Sequence, residues 1–177
     1  MPKYRVTRHE VTQPLDEPYR LIPLTQGHNA IVDIADFETL SQWNWRTHFN
    51  GFSLYAVRTA TKNGYKRKNI YMHRYILSCK LEQEADHRNH NTLDNRRKNL
   101  RPCTSQQNKW NSRLRNDNSV GFRGVTKRKD NGRFAAQIVI DRKCRRLGCY
   151  TTPEEAARAY DKAAKEVHGE FAVLNFN

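Results

Sequence analysis

Apolar positions in this chain come in short runs separated by turn residues. In residues 20–34, Leu21-Ile-Pro-Leu24 and Ala30-Ile-Val32 flank Gln26-Gly-His-Asn29, a pattern that predicts a β-hairpin. Residues 36–41 fit one helical turn. Residues 44–49 and 54–59 read as two strands around Asn50-Gly51, a strong hairpin signal. Asn63-Gly64 marks a further turn, with a strand predicted over 66–71. Residues 1–71 are thus expected to form a small β-rich module. A short helix is predicted over 72–79. The stretch from Glu84 to Thr104 is rich in Asn and lacks helical periodicity, so it reads as a loop between two short strands, the second over 100–103. Thr104 followed by Gln107 is a capping-box pattern and predicts a helix to about Leu114. The polar residues 116–120 read as a linker.

Beyond residue 121 the pattern changes. Strands are predicted over 124–128 and 133–140, joined by Asp130-Asn131-Gly132, with a third over 145–150. In the second strand Phe134, Ala136, Ile138 and Ile140 share one face. Thr152-Pro153-Glu154-Glu155 supplies an N-cap, a Pro at the first helical position and a capping-box Glu. Ala156, Ala157, Tyr160, Ala163, Ala164 and Val167 make one helical stripe, and Gly169 is a natural stop. The expected fold class is α+β: an N-terminal module over 1–71, a core over 72–115, the linker, and a three-stranded antiparallel sheet packed on one helix over 121–177.

Composition sharpens this picture. The 177 residues are 37% hydrophobic and 28% charged, with a net charge of +14, which suits small modules and a polyanionic partner. The excess is uneven: residues 1–61 are neutral, 62–115 carry +10 and 116–177 carry +4. The middle segment is therefore where a phosphate backbone is expected. Cys79, Cys103, Cys144 and Cys149 form no C-x-x-C pair, which argues against a zinc ribbon, and reduced thiols in a cytoplasmic protein are the simplest reading. No apolar run is long enough for a signal peptide or membrane span, so no membrane partner is expected.

Phosphodiester hydrolysis needs a base for water and positive charge for the phosphate and the leaving oxygen. A hard divalent cation with oxygen ligands supplies the charge, and a neutral imidazole suits the base. Asp86-His87 offers such a pair at the predicted end of a strand. Asn108, on the helix after Thr104, is placed to bring a side-chain oxygen back toward Asp86. Asn99, just before the second strand, is placed to brace the loop that carries His87.

Met72-His-Arg-Tyr-Ile-Leu, Asp86-His87, Leu93-Asp-Asn-Arg-Arg-Lys-Asn99-Leu-Arg and Thr104-Ser-Gln-Gln-Asn108 resemble the HNH endonucleases of phages and group I introns. His87 and Asn99 are twelve residues apart, Asn99 and Asn108 nine, as in the variant whose last position is Asn. The resemblance implies a ββα-metal core, homing or phage-type DNA cleavage, His87 as general base, Asp86 and Asn108 as ligands of Mg²⁺ or Mn²⁺, and Asn99 holding the loop. Such proteins often carry a Gly-containing turn after the Asp-His pair. Here the turn reads Arg88-Asn-His-Asn91, which makes His90 a rival base or ligand. His73 reads as a structural histidine. Arg74, Arg96, Arg97 and Lys98 are candidate phosphate contacts, the last three being equally readable as a solvated charge run.

Phe122-Arg-Gly-Val125, Arg133-Phe-Ala-Ala-Gln-Ile138, Leu147-Gly148, Glu154 to Ala164 and Ala172-Val-Leu-Asn175 resemble the APETALA/ethylene-response-factor DNA-binding domain. That resemblance implies a sheet lying in the major groove, with Arg123, Lys127, Arg133, Gln137, Arg145 and Arg146 as DNA contacts. The tryptophans expected near Asp130 and Arg146 are absent, so a base preference does not carry over. The expected partner is double-stranded DNA, with no small-molecule cofactor, bound by a monomer. Two alternatives stay open: a non-catalytic DNA-binding regulator and an architectural nucleic-acid protein.

Overall fold

The computed structural model describes residues 9–62 and 66–176. The fold is α+β, with two two-stranded and two three-stranded antiparallel sheets among the described residues. The chain divides into two compact units, Met1–Ser105 and Gln106–Asn177.

The first unit opens with a hairpin of β1 (Tyr19–Pro23) and β2 (Asn29–Asp33), in register from Tyr19↔Asp33 to Pro23↔Asn29. Gln26 and Gly27 in its turn take φ of 63° and 74°, left-handed values that a residue with a Cβ adopts only at a cost. Helix α1 (Ile34–Ser41) follows directly and is longer than the single turn expected there. Strands β3 (Arg46–Phe49), β4 (Leu54–Lys62) and β5 (Lys66–Tyr71) form one sheet in the order β3-β4-β5. The predicted Asn63-Gly64 turn lies outside the described residues. Helix α2 (Met72–Ile76) stops short of Cys79, with Ser78 left-handed at φ 50°. Strands β6 (Glu84–His87) and β7 (Leu100–Cys103) then pair.

Ile22, Leu24, Ala30, Val32, Leu40, Trp45 and Ala56 bury together with Met72, Ile76 and Leu100. Residues on both sides of the expected boundary at 71/72 therefore share one core. Trp45 is fully buried, and its indole N–H donates to the Leu40 carbonyl at 2.8 Å, so the large ring enters without stranding its donor.

The second unit starts in α3 (Ser105–Trp110), which ends four residues before Leu114. The Trp110 ring stacks on His168 with centroids 4.4 Å apart. The expected linker is an ordered turn: the Asn118 side chain accepts from the N–H groups of Val120 and Gly121 and donates to the Phe122 carbonyl. Strands β8 (Val125–Lys127), β9 (Phe134–Ile140) and β10 (Lys143–Tyr150) form a sheet with β9 central. A bulge at Leu147 interrupts β10. Helix α4 (Pro153–His168) begins with the predicted capping box, Thr152 and Glu155 bonding reciprocally. Ala156, Ala157 and Ala164 are fully buried against the sheet, where small side chains let the helix come close. Among the described residues no helix is long and apolar enough to cross a membrane, and all four cysteines are free.

Gly124, just before β8, lies against Tyr160 of α4. A Cβ there would stand 2.0 Å from Cδ2 of Tyr160, and φ is +71°. Gly124→Ala is expected to destabilise the second unit by about 3 kcal/mol, since steric overlap and left-handed strain add. Denaturant unfolding checks this, and a loss under about 0.5 kcal/mol would contradict it.

Candidate active centre and nucleic-acid interface

The loop from Arg88 to Arg96 has no regular structure, so side chains and neighbouring strands must satisfy its backbone. Asn99, which ends the 3-10 turn Arg97–Asn99, does much of this. Its side chain accepts from the Asn89 N–H at 3.0 Å and donates to the Asp94 carbonyl at 2.8 Å, while its own carbonyl accepts from the Arg88 N–H. Asn89 and Asn91 accept from N–H groups two residues on, closing short turns. The left-handed residue of this loop is His90, at φ 60°. Beyond the loop, Asn95 donates to the Ile31 carbonyl, Ile31 donates to that of Leu93, and the Thr92 hydroxyl donates to that of Leu54. The N-terminal β-structure is therefore the loop's scaffold.

Asp86 and His87 are neighbours on β6 with different surroundings. Asp86 lies opposite Arg101 in register, and its Oδ2 accepts from the guanidinium at 2.8 and 2.7 Å. Both side chains are buried. His87, the last residue of β6, is 4% exposed and meets the His73 ring edge-on at 4.8 Å. Tyr55 lies 6.2 Å from His87 and 5.5 Å from His73, and Tyr71 flanks His73 in turn. Burial lowers the His87 pKa to about 4, against the opposing influence of Asn95, Asp86 and Asp94. His73 falls to about 3, first through burial and then through the charges of His87 and Arg74. Both imidazoles are accordingly neutral at pH 7.

Asn108 sits on α3 in the second unit. Among the described residues no three His, Cys, Asp or Glu side chains gather to hold a metal ion. The single carboxylate of Asp86 is of the kind Mg²⁺ takes where waters and substrate phosphates complete the shell. Arg101 is then a competitor for Oδ2.

Several predicted DNA contacts have internal partners. Arg96 grips Asp94 with two bonds of 2.7 Å, holding that carboxyl below its ordinary range against the opposing effect of burial. Arg97 forms two bonds to Asp36, at 2.9 and 2.7 Å, and its backbone N–H donates to Asp33. Arg74 donates to the carbonyls of Gln83 and Lys80, closing the turn after α2. Lys98 is exposed.

On the C-terminal sheet, pairing sorts the candidates by face, because directly opposed residues project to the same side. Gln137 opposes Arg146, and Arg133 shares their parity, so these three lie on the face away from α4. Arg145 opposes buried Ile138, and Lys127 opposes Phe134, with its ammonium 6.0 Å from that ring, so both project toward the helix side at the sheet's edges. Arg123 precedes β8 and its guanidinium donates to the Ser112 carbonyl. Arg128, which the sequence reading passed over, has open-face parity and pairs with Asp130. Strand alternation alone would have found it. Arg101 was missed for a different reason: its role exists only through the β6–β7 register.

No family model matches the chain. Over 163 residues, 89% of this chain and 80% of the relative, it is 29% identical to an uncharacterised HNH endonuclease of Acanthamoeba polyphaga mimivirus. A C-terminal segment of 58 residues is 50% identical to an ethylene-responsive transcription factor of Arabidopsis thaliana, and 57 residues are 46% identical to a second such factor. The chain spans only 14% and 31% of the length of those two plant proteins. It is thus similar to a named HNH endonuclease along most of its length and to plant transcription factors near its C-terminus.

Proposed function

We propose that the chain is a metal-dependent HNH-type DNA endonuclease of homing or phage type, acting as a monomer on double-stranded DNA. The observation that carries the reading is the end of β6. There a neutral imidazole, His87, adjoins a carboxylate, Asp86, under a loop braced by Asn99. Likeness over most of the chain to a named HNH endonuclease supports it. In this reading Asp86 and Asn108 hold Mg²⁺ or Mn²⁺, which when bound neutralises the scissile phosphate and the leaving 3′ oxygen. His87 takes the proton of the attacking water at an imidazole nitrogen. The phosphate's negative charge raises the affinity of His87 for that proton as it arrives. The C-terminal sheet holds the duplex through Arg133, Gln137 and Arg146 and raises the local concentration of DNA at the centre.

A non-catalytic DNA-binding regulator is the second reading, favoured by one feature: Arg101 already neutralises Asp86. Supercoiled plasmid incubated with protein and Mg²⁺ separates the two. Nicking by the wild type, abolished by chelator and slowed at least about 100-fold in His87→Ala, is expected. No nicking across several DNAs favours the regulator, and cleavage by His87→Ala at the wild-type rate removes the base assignment.

The pH profile has a defined sign. A base must be deprotonated, and burial lowers the His87 pKa to about 4, so the active form is present above that value and lost as pH falls through it. The acid limb of kcat/KM is therefore expected near pH 4, and a limb near pH 6.5 would contradict it. For the sheet, Arg146→Ala is expected to weaken DNA binding by about tenfold or more, with Arg145→Ala clearly milder. Equal losses in a filter-binding titration would contradict the assignment by face.

A further inference from the structure

We propose that the tip of the β3–β4 hairpin is a wedge, in which Phe49 and Phe52 insert between stacked base pairs of the duplex beside the phosphate to be cut. The inference rests on the endonuclease reading and adds a second DNA contact to it, one made by the N-terminal part of the chain.

Phe49 is 61% exposed and Phe52 91%, two aromatic rings within four residues of one hairpin tip. Scattered exposed apolar side chains are ordinary, but a protruding aromatic pair on a stiff support is not. The support is stiff here. The Asn50 side chain accepts from the N–H groups of Phe52 at 3.0 Å and Ser53 at 2.9 Å, its own N–H donates to the Ser53 carbonyl, and Gly51 takes the left-handed φ of 96° that closes the turn. A ring held in place in advance loses less freedom on insertion than one on a mobile loop.

Charge selects the partner. From Thr39 to Leu81 the sequence contains no Asp or Glu, while Arg46, Arg58, Lys62, Lys66, Arg67, Lys68, Arg74 and Lys80 contribute eight positive charges. The sheet bearing the tip lies wholly within this acid-free stretch. In sequence this stretch is one-signed, which suits a polyanion with apolar interior steps, and Arg46 lies on the strand that ends in Phe49. Duplex DNA is that partner, and apolar side chains are known to part its base steps and kink it.

Position supplies the third argument. Tyr55 lies three residues beyond Phe52 and its ring stands 6.2 Å from His87. At roughly 3.3 Å per strand residue the tip is about 10 Å from Tyr55, or about three base-pair steps. Unstacking at that distance bends the strand next to the centre and turns its phosphate toward a His87 that is itself buried.

The test uses the full chain and a duplex located by footprinting the bound wild type, with 2-aminopurine replacing adenine at successive positions across the footprint. Wild-type binding is expected to raise the fluorescence at one step, within about three base pairs of the cut. Phe52→Ser and the double variant Phe49→Ser/Phe52→Ser are expected to lose that rise and to cut about tenfold more slowly, with an unchanged unfolding midpoint. Leu81→Ser, which removes another highly exposed apolar side chain of the same unit, is expected to change neither. Wild type that binds and cuts without any rise overturns the wedge and leaves the endonuclease reading standing. A rise that survives in the double variant does the same. An unchanged rise together with a dimer that becomes monomeric assigns the tip to a protein contact and overturns the wedge. Wild type that binds no DNA overturns both.

Discussion

A polar loop that is half buried must have its hydrogen bonds made internally, and the candidate centre depends on that constraint. Asp94, Asn95 and Asn99 are each 5% exposed or less, in a segment where a single bridge from Asp94 to Ile31 and the 3-10 turn Arg97–Asn99 absorb few of the backbone groups. The solution is a set of short side-chain turns tied by Asn99 on one side and by β2 and β4 on the other. An unsatisfied buried donor costs about 1–3 kcal/mol, so removing one tie threatens the placement of the whole loop. His87 is held by this frame and not by its own strand alone. The small sheet β6–β7 has four residue pairs and would not fix a side chain to catalytic tolerance without it.

The same burial sets the chemistry. Taking His87 and His73 out of water keeps both neutral, and the edge-on ring contact keeps them close. A buried carboxylate beside them would be costly without a partner, and Arg101 supplies one. The centre is thus stored in a charge-neutral state: neutral imidazoles and a neutral ion pair. A phosphodiester (−1) arriving with a divalent cation (+2) changes that balance by one charge, whereas the cation alone changes it by two.

Local signals were legible in the sequence. Both hairpins around Gln26-Gly27 and Asn50-Gly51, the strand over 66–71, the pair β6–β7 and the capped helix α4 follow from turn chemistry, alternation and capping, all of which act over a few residues. What was not legible depends on register or tertiary contact. Helix α3 ends at Trp110, whose ring has a partner, His168, 58 positions away. The core crosses residue 71 because Met72, Ile76 and Leu100 fill space beside Trp45 and Leu40, which no local pattern encodes. At the candidate centre, Asp86, His87 and Asn99 were visible from spacing, whereas Arg101, Tyr55 and Asp94 became visible only when strands and loop were assembled.

Ion pairs also change how the net charge is to be read. Arg96, Arg97, Arg101, Arg115 and Arg128 each pair with an aspartate. Each pair sums to zero, so the excess of +14 must reside on other side chains. The basic run at 96–98, conspicuous in the sequence, therefore contributes little free field, because two of its three charges are answered by Asp94 and Asp36. In sequence, further excess lies in the acid-free stretch from Thr39 to Leu81 and in the C-terminal strands, where Lys143, Arg145 and Arg146 stand close together. Counterion release depends on charges that can leave their internal partners for phosphate, and a bidentate Arg–Asp pair is slow to do so. The ion-paired loop between β6 and β7 is accordingly a rigid element that carries the candidate chemistry more than a source of free positive field.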